Sequence, residues 1–280
     1  MNVGCHVSIA GGVQNAPQNA HDAGCEVMQI FTRPPAGGRA SPLTSAAVAE
    51  FKLKAESYGL RAVYVHAPYF INFASSSNRI RYGSISSIKQ ELERASLLGA
   101  KYVMTHLGSF KDLGEEESIK KTIEGLQKVF EGYTGSAKLL IENSAGSGSV
   151  IGSSFKQIGQ ILSGAKSALG GLKDNLAGIC LDTQHSFASG YNWRDDFTGA
   201  LKELEKHIGL ANIKLIHAND SMSECGSHVD RHEHIGAGKI GMDGFKNLVA
   251  FAKKNKIDMI CETKSPGVTE DIKTLKSLRD

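Results

Sequence analysis

Nine side chains of the 280-residue sequence have the types and the placement to hold metal ions: His66, His106, Glu142, Asp182, His185, His217, Asp230, His232 and Glu262. Six of them close short apolar runs. His66 ends AVYVH, His106 ends YVMTH, Glu142 ends LLIE, Asp182 ends GICLD, His217 ends KLIH and Glu262 ends DMICE. His185 follows Asp182 by three residues in DTQH, in the loop after its run. Asp230 and His232 stand at i and i+2 in VDRHEH, so extended backbone turns both to one side. Imidazole and carboxylate without thiolate favour Zn²⁺, with Mn²⁺ or Fe²⁺ as the alternatives at one site. A tetrahedral ion takes about four donors. Nine donors therefore suit two or three ions that share a carboxylate. A single strand-end acid is often only the N-cap of the next helix, and a single loop histidine is usually just solvated. Recurrence over six consecutive runs sets this group apart.

The elements that must position these residues alternate along the chain. Strands are predicted at Val3–Val7, Glu26–Phe31, Arg61–His66, Lys101–His106, Lys138–Glu142, Ala177–Asp182, Ile213–His217 and Ile257–Glu262. Helical patterns fall between them, near 11–23, 44–58, 78–98, 115–132, 154–168, 195–208 and 242–255, with a last one near 269–279. Gly24, Gly59 and Gly99 stand at helix exits, where a left-handed C′ residue is wanted. Eight βα units imply parallel strands. They close into a (β/α)₈ TIM barrel of the α/β class, read as one domain over residues 1–280. An open doubly wound sheet fits less well, because no GxGxxG follows the first strand. Strand ends of a barrel converge on its C-terminal rim, where this fold carries its active sites. Side-chain alternation then puts Tyr64, Met104, Leu140, Cys180, Leu215 and Ile260 in a layer below the ligands. Val65, Thr105, Ile141, Leu181, Ile216 and Cys261 face the helices. The long loops 67–77, 143–153 and 218–241 lie on the ligand face.

Composition adds limits. With 41% hydrophobic and 22% charged residues, the chain has a globular balance, and its apolar runs are too short to span a membrane. The opening MNVGCHVSIAGG lacks a charged segment and a long apolar stretch, so no secretory signal is read there. Five scattered cysteines without CxxC fit reduced thiols and a cytoplasmic location. The net charge of +3 is compatible with a polyanionic partner without requiring one. The other histidines have ordinary readings or a place near the site. His21 is a helix-surface residue and His207 complements a helix C-terminus. His6 ends the first strand on the ligand rim, as a bystander or as support for the ligands. His228 and His234 are loop residues, phosphate contacts or supports.

The sequence resembles the endonuclease IV family of metal-dependent apurinic/apyrimidinic endonucleases, which act in base excision repair. The resemblance runs nearly the whole chain, through GCHVSIAGG at the start, HAPYFIN at 66–72, HLGS at 106–109, LDTQHSFASGY at 181–191, HAND at 217–220 and VDRHEHIGAGKIG at 229–241. It implies three zinc ions per chain. His66, His106 and Glu142 would hold one; Glu142, Asp182, His217 and Glu262 a second, with Glu142 bridging; His185, Asp230 and His232 the third. The implied reaction cuts the phosphodiester 5′ to an abasic site in duplex DNA, leaves a 3′-hydroxyl, and also clears blocked 3′ ends. Glu262 and Glu142 are the implied catalytic carboxylates, Glu262 as the group that orients or deprotonates the attacking water. Tyr69, Phe70, Arg33, Arg39, His228 and Arg231 are the expected DNA contacts, on nucleoid-associated DNA, by a monomer.

The sequence departs from the family at RPPAGGR, residues 33–39. Family members usually carry an Arg-Gln-Trp-like stretch there that enters the minor groove. Here the aligned positions are Ala36, Gly37 and Gly38. The competing reading is a metal-dependent sugar isomerase or epimerase of the xylose-isomerase-like barrel type. Such enzymes hold one or two ions, which leaves His185, Asp230 and His232 without a task.

Overall fold

A computed structural model describes all residues, Met1–Asp280. Ten strands form: β1 (Val3–His6), β2 (Val27–Ile30), β3 (Val63–His66), β4 (Tyr102–Thr105), β5 (Lys138–Glu142), β6 (Leu176–Asp182), β7 (Ile213–His217), β8 (Asp220–Ser221), β9 (His232–Glu233) and β10 (Asp258–Cys261). Eight of them close a parallel barrel in the order β1-β10-β7-β6-β5-β4-β3-β2, as expected. β8 and β9 form a small antiparallel ribbon inside the long loop after β7.

The helices are α1 (Ala16–Asp22), α2 (Ser45–Ser57), α3 (Asn78–Leu98), α4 (Glu115–Val129), α5 (Phe155–Leu169), α6 (Thr183–Ala188), α7 (Phe197–His207), α8 (Gly241–Asn255) and α9 (Val268–Arg279). Local chemistry explains their ends. Thr44, Ser154 and Asp196 each accept a hydrogen bond from a first-turn N–H of α2, α5 and α7. Gly99 ends α3 in the left-handed region at φ 74°. No helix is long and apolar enough to cross a membrane.

Side chains alternate between the barrel interior and the helices as expected. Tyr64, Met104, Leu140, Cys180, Leu215 and Ile260 join Val27 and Tyr102 in one buried cluster. Val65, Ile141, Leu181, Ile216 and Cys261 belong to the other cluster, which packs the barrel against its helices. The ligand rim thus sits on a solid floor. Two features were not anticipated. Residues 183–188 are helical rather than loop, because the Asp182 carboxylate accepts the His185 N–H (2.8 Å) and caps α6. The β8–β9 ribbon is too short to give a period-2 pattern.

Candidate metal centre

Glu142 is the hub of the rim. It is fully buried at the end of β5. One oxygen, Oε2, lies 2.9 Å from His66 Nε2 and 3.6 Å from His106 Nε2. The other, Oε1, lies 2.8 Å from His217 Nδ1. His217 Nδ1 is also 3.2 Å from a Glu262 oxygen. Asp182 Oδ2 lies 3.8 Å from His185 Nδ1 and 3.9 Å from both His217 Nδ1 and His232 Nε2. His185 Nε2 faces His232 Nε2 and an Asp230 oxygen, each at 3.4 Å.

Donor atoms gather into three groups, each within 4.8 Å. The first is His66, His106 and Glu142; the second is Glu142, Asp182, His217 and Glu262. The third brings His185 and His232 together with Asp182, and Asp230 stands beside it. The resemblance implied His185, Asp230 and His232 for that group, with Asp230 as its only carboxylate. Asp182 is therefore within reach of two groups, as Glu142 is.

The set fits divalent cations. Several imidazoles spend one nitrogen on a backbone or amide acceptor and turn the other inward. His66 Nδ1 donates to the Ala67 carbonyl (2.6 Å) and His185 Nδ1 to the Asn143 carbonyl (3.0 Å). Such outer contacts fix the tautomer that a ligand histidine needs. Burial works against charge on Glu142, but His106, His217 and His66 outweigh it and hold the carboxyl well below its usual range. Burial likewise opposes charge on Glu262, and His217 above all brings its pKa down to about 2. Burial disfavours His185 cation formation, yet Asp182 and then Asp230 raise its pKa to about 10. Burial lowers His6 to about 4 and also lowers His106. The carboxylates gathered in this cavity attract positive charge, which the neighbouring imidazoles or divalent cations can supply.

The cavity, about 510 Å³, is lined by His66, Tyr69, His106, Glu142, His185 and Glu262 among others. A second groove of about 400 Å³ continues from it past Tyr69, His106 and Asp230. Tyr69 and Phe70 stand at the mouth, 62% and 40% exposed. The Tyr69 N–H donates to Pro35 O (3.0 Å), so the 33–39 loop leans on this aromatic pair. Arg39, His228 and Arg231 are exposed.

Arg33 requires correction as a DNA contact. It is buried and ion-paired with the buried Glu91, with a further bond to Gln90 (3.2 Å). Its planar guanidinium anchors the loop to α3 instead of meeting solvent. His234 is engaged by Asp271 at 2.7 Å. His21 stacks on Tyr58 and His207 pairs with Glu203 near the end of α7.

Residue-type reasoning missed the supporting amides. Asn219 Nδ2 donates to Asp182 (2.7 Å) and Glu262 (3.3 Å), and its Oδ1 accepts from the Glu262 N–H (2.9 Å). Asn143 accepts the Asp182 N–H (2.7 Å). Gln29 was missed too, although a glutamine inside the apolar strand VMQI is a signal in itself.

A family model described as a xylose isomerase-like TIM barrel matches residues 17–279. The probable endonuclease 4 of Cenarchaeum symbiosum (strain A) is 36% identical over 283 residues, covering 100% of this chain and 99% of the relative. The probable endonuclease 4 of Nitrosopumilus maritimus is 37% identical, again covering 100% and 99%. The crystal structure of endonuclease IV from Thermus thermophilus superimposes with a TM-score of 0.86 at 30% identity, covering 99% of this chain and 98% of that one.

Proposed function

The chain belongs to the endonuclease IV family, and on that premise we propose that its rim holds three zinc ions and cleaves duplex DNA 5′ to abasic sites, leaving a 3′-hydroxyl. The single observation that carries the reading is the gathering of donors into three groups joined through Glu142 and Asp182. His66 and His106 with Glu142 would hold one ion. Glu142, Asp182, His217 and Glu262 would hold a second. His185 and His232, with Asp230 and Asp182 as carboxylates, would hold the third.

Bound divalent ions activate water near neutral pH and offset charge developing on the phosphate and the leaving oxygen. The protein residues do the rest. Glu262 is the carboxylate of its group that meets solvent, with a side chain 15% exposed beside a fully buried Glu142 and His217. It can therefore orient the attacking water and take its proton. Gln29 (2.7 Å) and Asn219 (3.3 Å) hold that carboxylate in place. Glu142 keeps two donor groups in register.

Tyr69 and Phe70 reach into the DNA, with Arg39, Arg231 and His228 available to its phosphates. Blocked 3′ ends fit the same chemistry. We place the enzyme in the cytoplasm as a monomer whose 280 residues act as one domain. A sugar isomerase leaves the third donor group idle, and a catalytically inert damage binder needs a missing donor, whereas all nine are present.

The direct test is a duplex with one abasic site, with product ends analysed before and after prolonged chelation. Elemental analysis should return about three ions per chain, mainly zinc. One ion per chain with full activity would falsify the trinuclear reading.

The aromatic pair carries its own expectation. Ala36, Gly37 and Gly38 cannot fill the hole that a missing base leaves in the stack. Stacking on an aromatic ring contributes about 1–3 kcal/mol per base. Phe70→Ala should therefore weaken binding to abasic duplex about tenfold or more, and Ala36→Arg should strengthen it. Titrations need one fixed salt concentration, because the phosphate contribution is steeply salt-dependent. Unchanged dissociation constants for both variants would move recognition to the 143–153 or 218–241 loops.

A further inference from the structure

β2 supplies none of the nine donors, yet its only polar side chain, Gln29, is fully buried against them. Its amide oxygen and both of its N–H donors are directed at the rim. Oε1 lies 2.7 Å from His217 Nε2 and, with its oxygen turned that way, accepts a hydrogen bond from the Nε2–H. Nε2 donates to Glu262 Oε1 at 2.7 Å and to His6 Nδ1 at 3.1 Å. The amide can point only one way. Turned over, its carbonyl oxygen would face the Glu262 carboxylate at hydrogen-bond distance, oxygen against oxygen.

We propose that Gln29 is a positioning residue for the reaction: its amide sets which nitrogen His217 turns toward Glu142 and Glu262, and it holds Glu262 in the orientation that meets water. This rests on reading the rim as a metal centre. His217 Nδ1 points inward because Nε2 is committed to Gln29. Glu262 is tethered from β2 by Gln29 and from the loop after β7 by Asn219, so it cannot rotate away from the cavity. A side chain that fixes a ligand from outside typically changes metal affinity or activity by about 10–100-fold when removed.

Two variants separate the two roles. Gln29→Leu keeps most of the volume and removes every bond. Gln29→Glu keeps an acceptor for His217 but sets a carboxylate against Glu262. Three quantities would be measured on the full chain: zinc retained against a competing chelator, kcat and KM on abasic duplex, and exchange of the His217 Nε2 proton by ¹H–¹⁵N NMR. In the parent that proton should exchange slowly, with or without zinc. In Gln29→Leu it should exchange fast, and the weakest-held zinc should bind about 10–100-fold less tightly. In Gln29→Glu the proton should stay protected while kcat falls about tenfold or more and KM moves less than about twofold. A Gln29→Leu protein with a protected proton and parental zinc affinity overturns the proposal. If that variant does not fold, parental kcat in Gln29→Glu does so. A parent chain that retains no zinc instead defeats the metal-centre reading, and the proton measurement on the metal-free chain still decides what Gln29 does.

Discussion

Glu262→Gln should lower cleavage of abasic duplex by at least about 10²-fold, the lower range for losing a general base. The amide keeps the shape of the side chain and the backbone bond to Asn219 Oδ1 (2.9 Å), while its single oxygen can accept from Gln29 or from Asn219 but not from both, so folding should stay close to parental. It cannot take a proton from water, and it removes one negative charge from the second donor group. Binding of abasic duplex at fixed salt should be close to normal, since the DNA-facing residues are untouched. Single-turnover rates beside binding isotherms separate the two effects. Wild-type-like turnover in Glu262→Gln would remove this residue from the chemistry.

The second large effect concerns stability. Asp220 is fully buried at the start of β8. Its carboxylate accepts backbone N–H groups from Ser221 (2.7 Å), Gly236 (2.9 Å), Gly238 (3.1 Å), Ile240 (2.9 Å) and Gly241 (3.1 Å). It folds the 236–241 segment around itself. That close wrap explains Gly238, where a Cβ would stand 2.5 Å from Ser221 O and 2.6 Å from Asp220 Oδ1. Asp220→Ala strands the buried N–H groups of Ser221 and Ile240, each worth about 1–3 kcal/mol when unsatisfied, and the half-buried ones of Gly236, Gly238 and Gly241. Denaturant titration should show a loss of at least about 3 kcal/mol. Activity should fall as well, because the β8–β9 ribbon presents His232. A loss within about 0.5 kcal/mol, the range of an ordinary surface substitution, would mean that water replaces the carboxylate and that the segment holds itself.

Much of this centre was legible because barrel geometry converts position in sequence into position in space. A residue that ends an apolar run in a βα unit lies on the rim, so His66, Glu142, Asp182 and His217 were placed by pattern alone. His106 and Glu262 fall one residue past β4 and β10 and reach the same rim. Donors outside strands were harder. His185 was read as a loop residue, but capping by Asp182 makes the segment helical and buries it. Arg33 shows the opposite error. A basic residue beside a glycine-rich loop looks free until its partner is known, and Glu91 is distant in sequence on α3. Gln29 and Asn219 were invisible to a search for ligand types because neither is one. Their meaning depends on neighbours from β1, β6, β7 and the segment after β10, a relation that only the closed barrel supplies.

Closure itself has a consequence for how the enzyme comes into being. β10 is the strand that completes the ring, pairing with β1 on one side and β7 on the other. As the polypeptide leaves the ribosome, His66, His106 and Glu142 arrive on the adjacent strands β3, β4 and β5 or just beyond them. Glu262 arrives only after β10, late in synthesis. A half-made chain can thus gather the first donor group but lacks the carboxylate that faces water. With Glu262 in its proposed role, the capacity to nick DNA would come only with the closing strand, the last of the ring to be made.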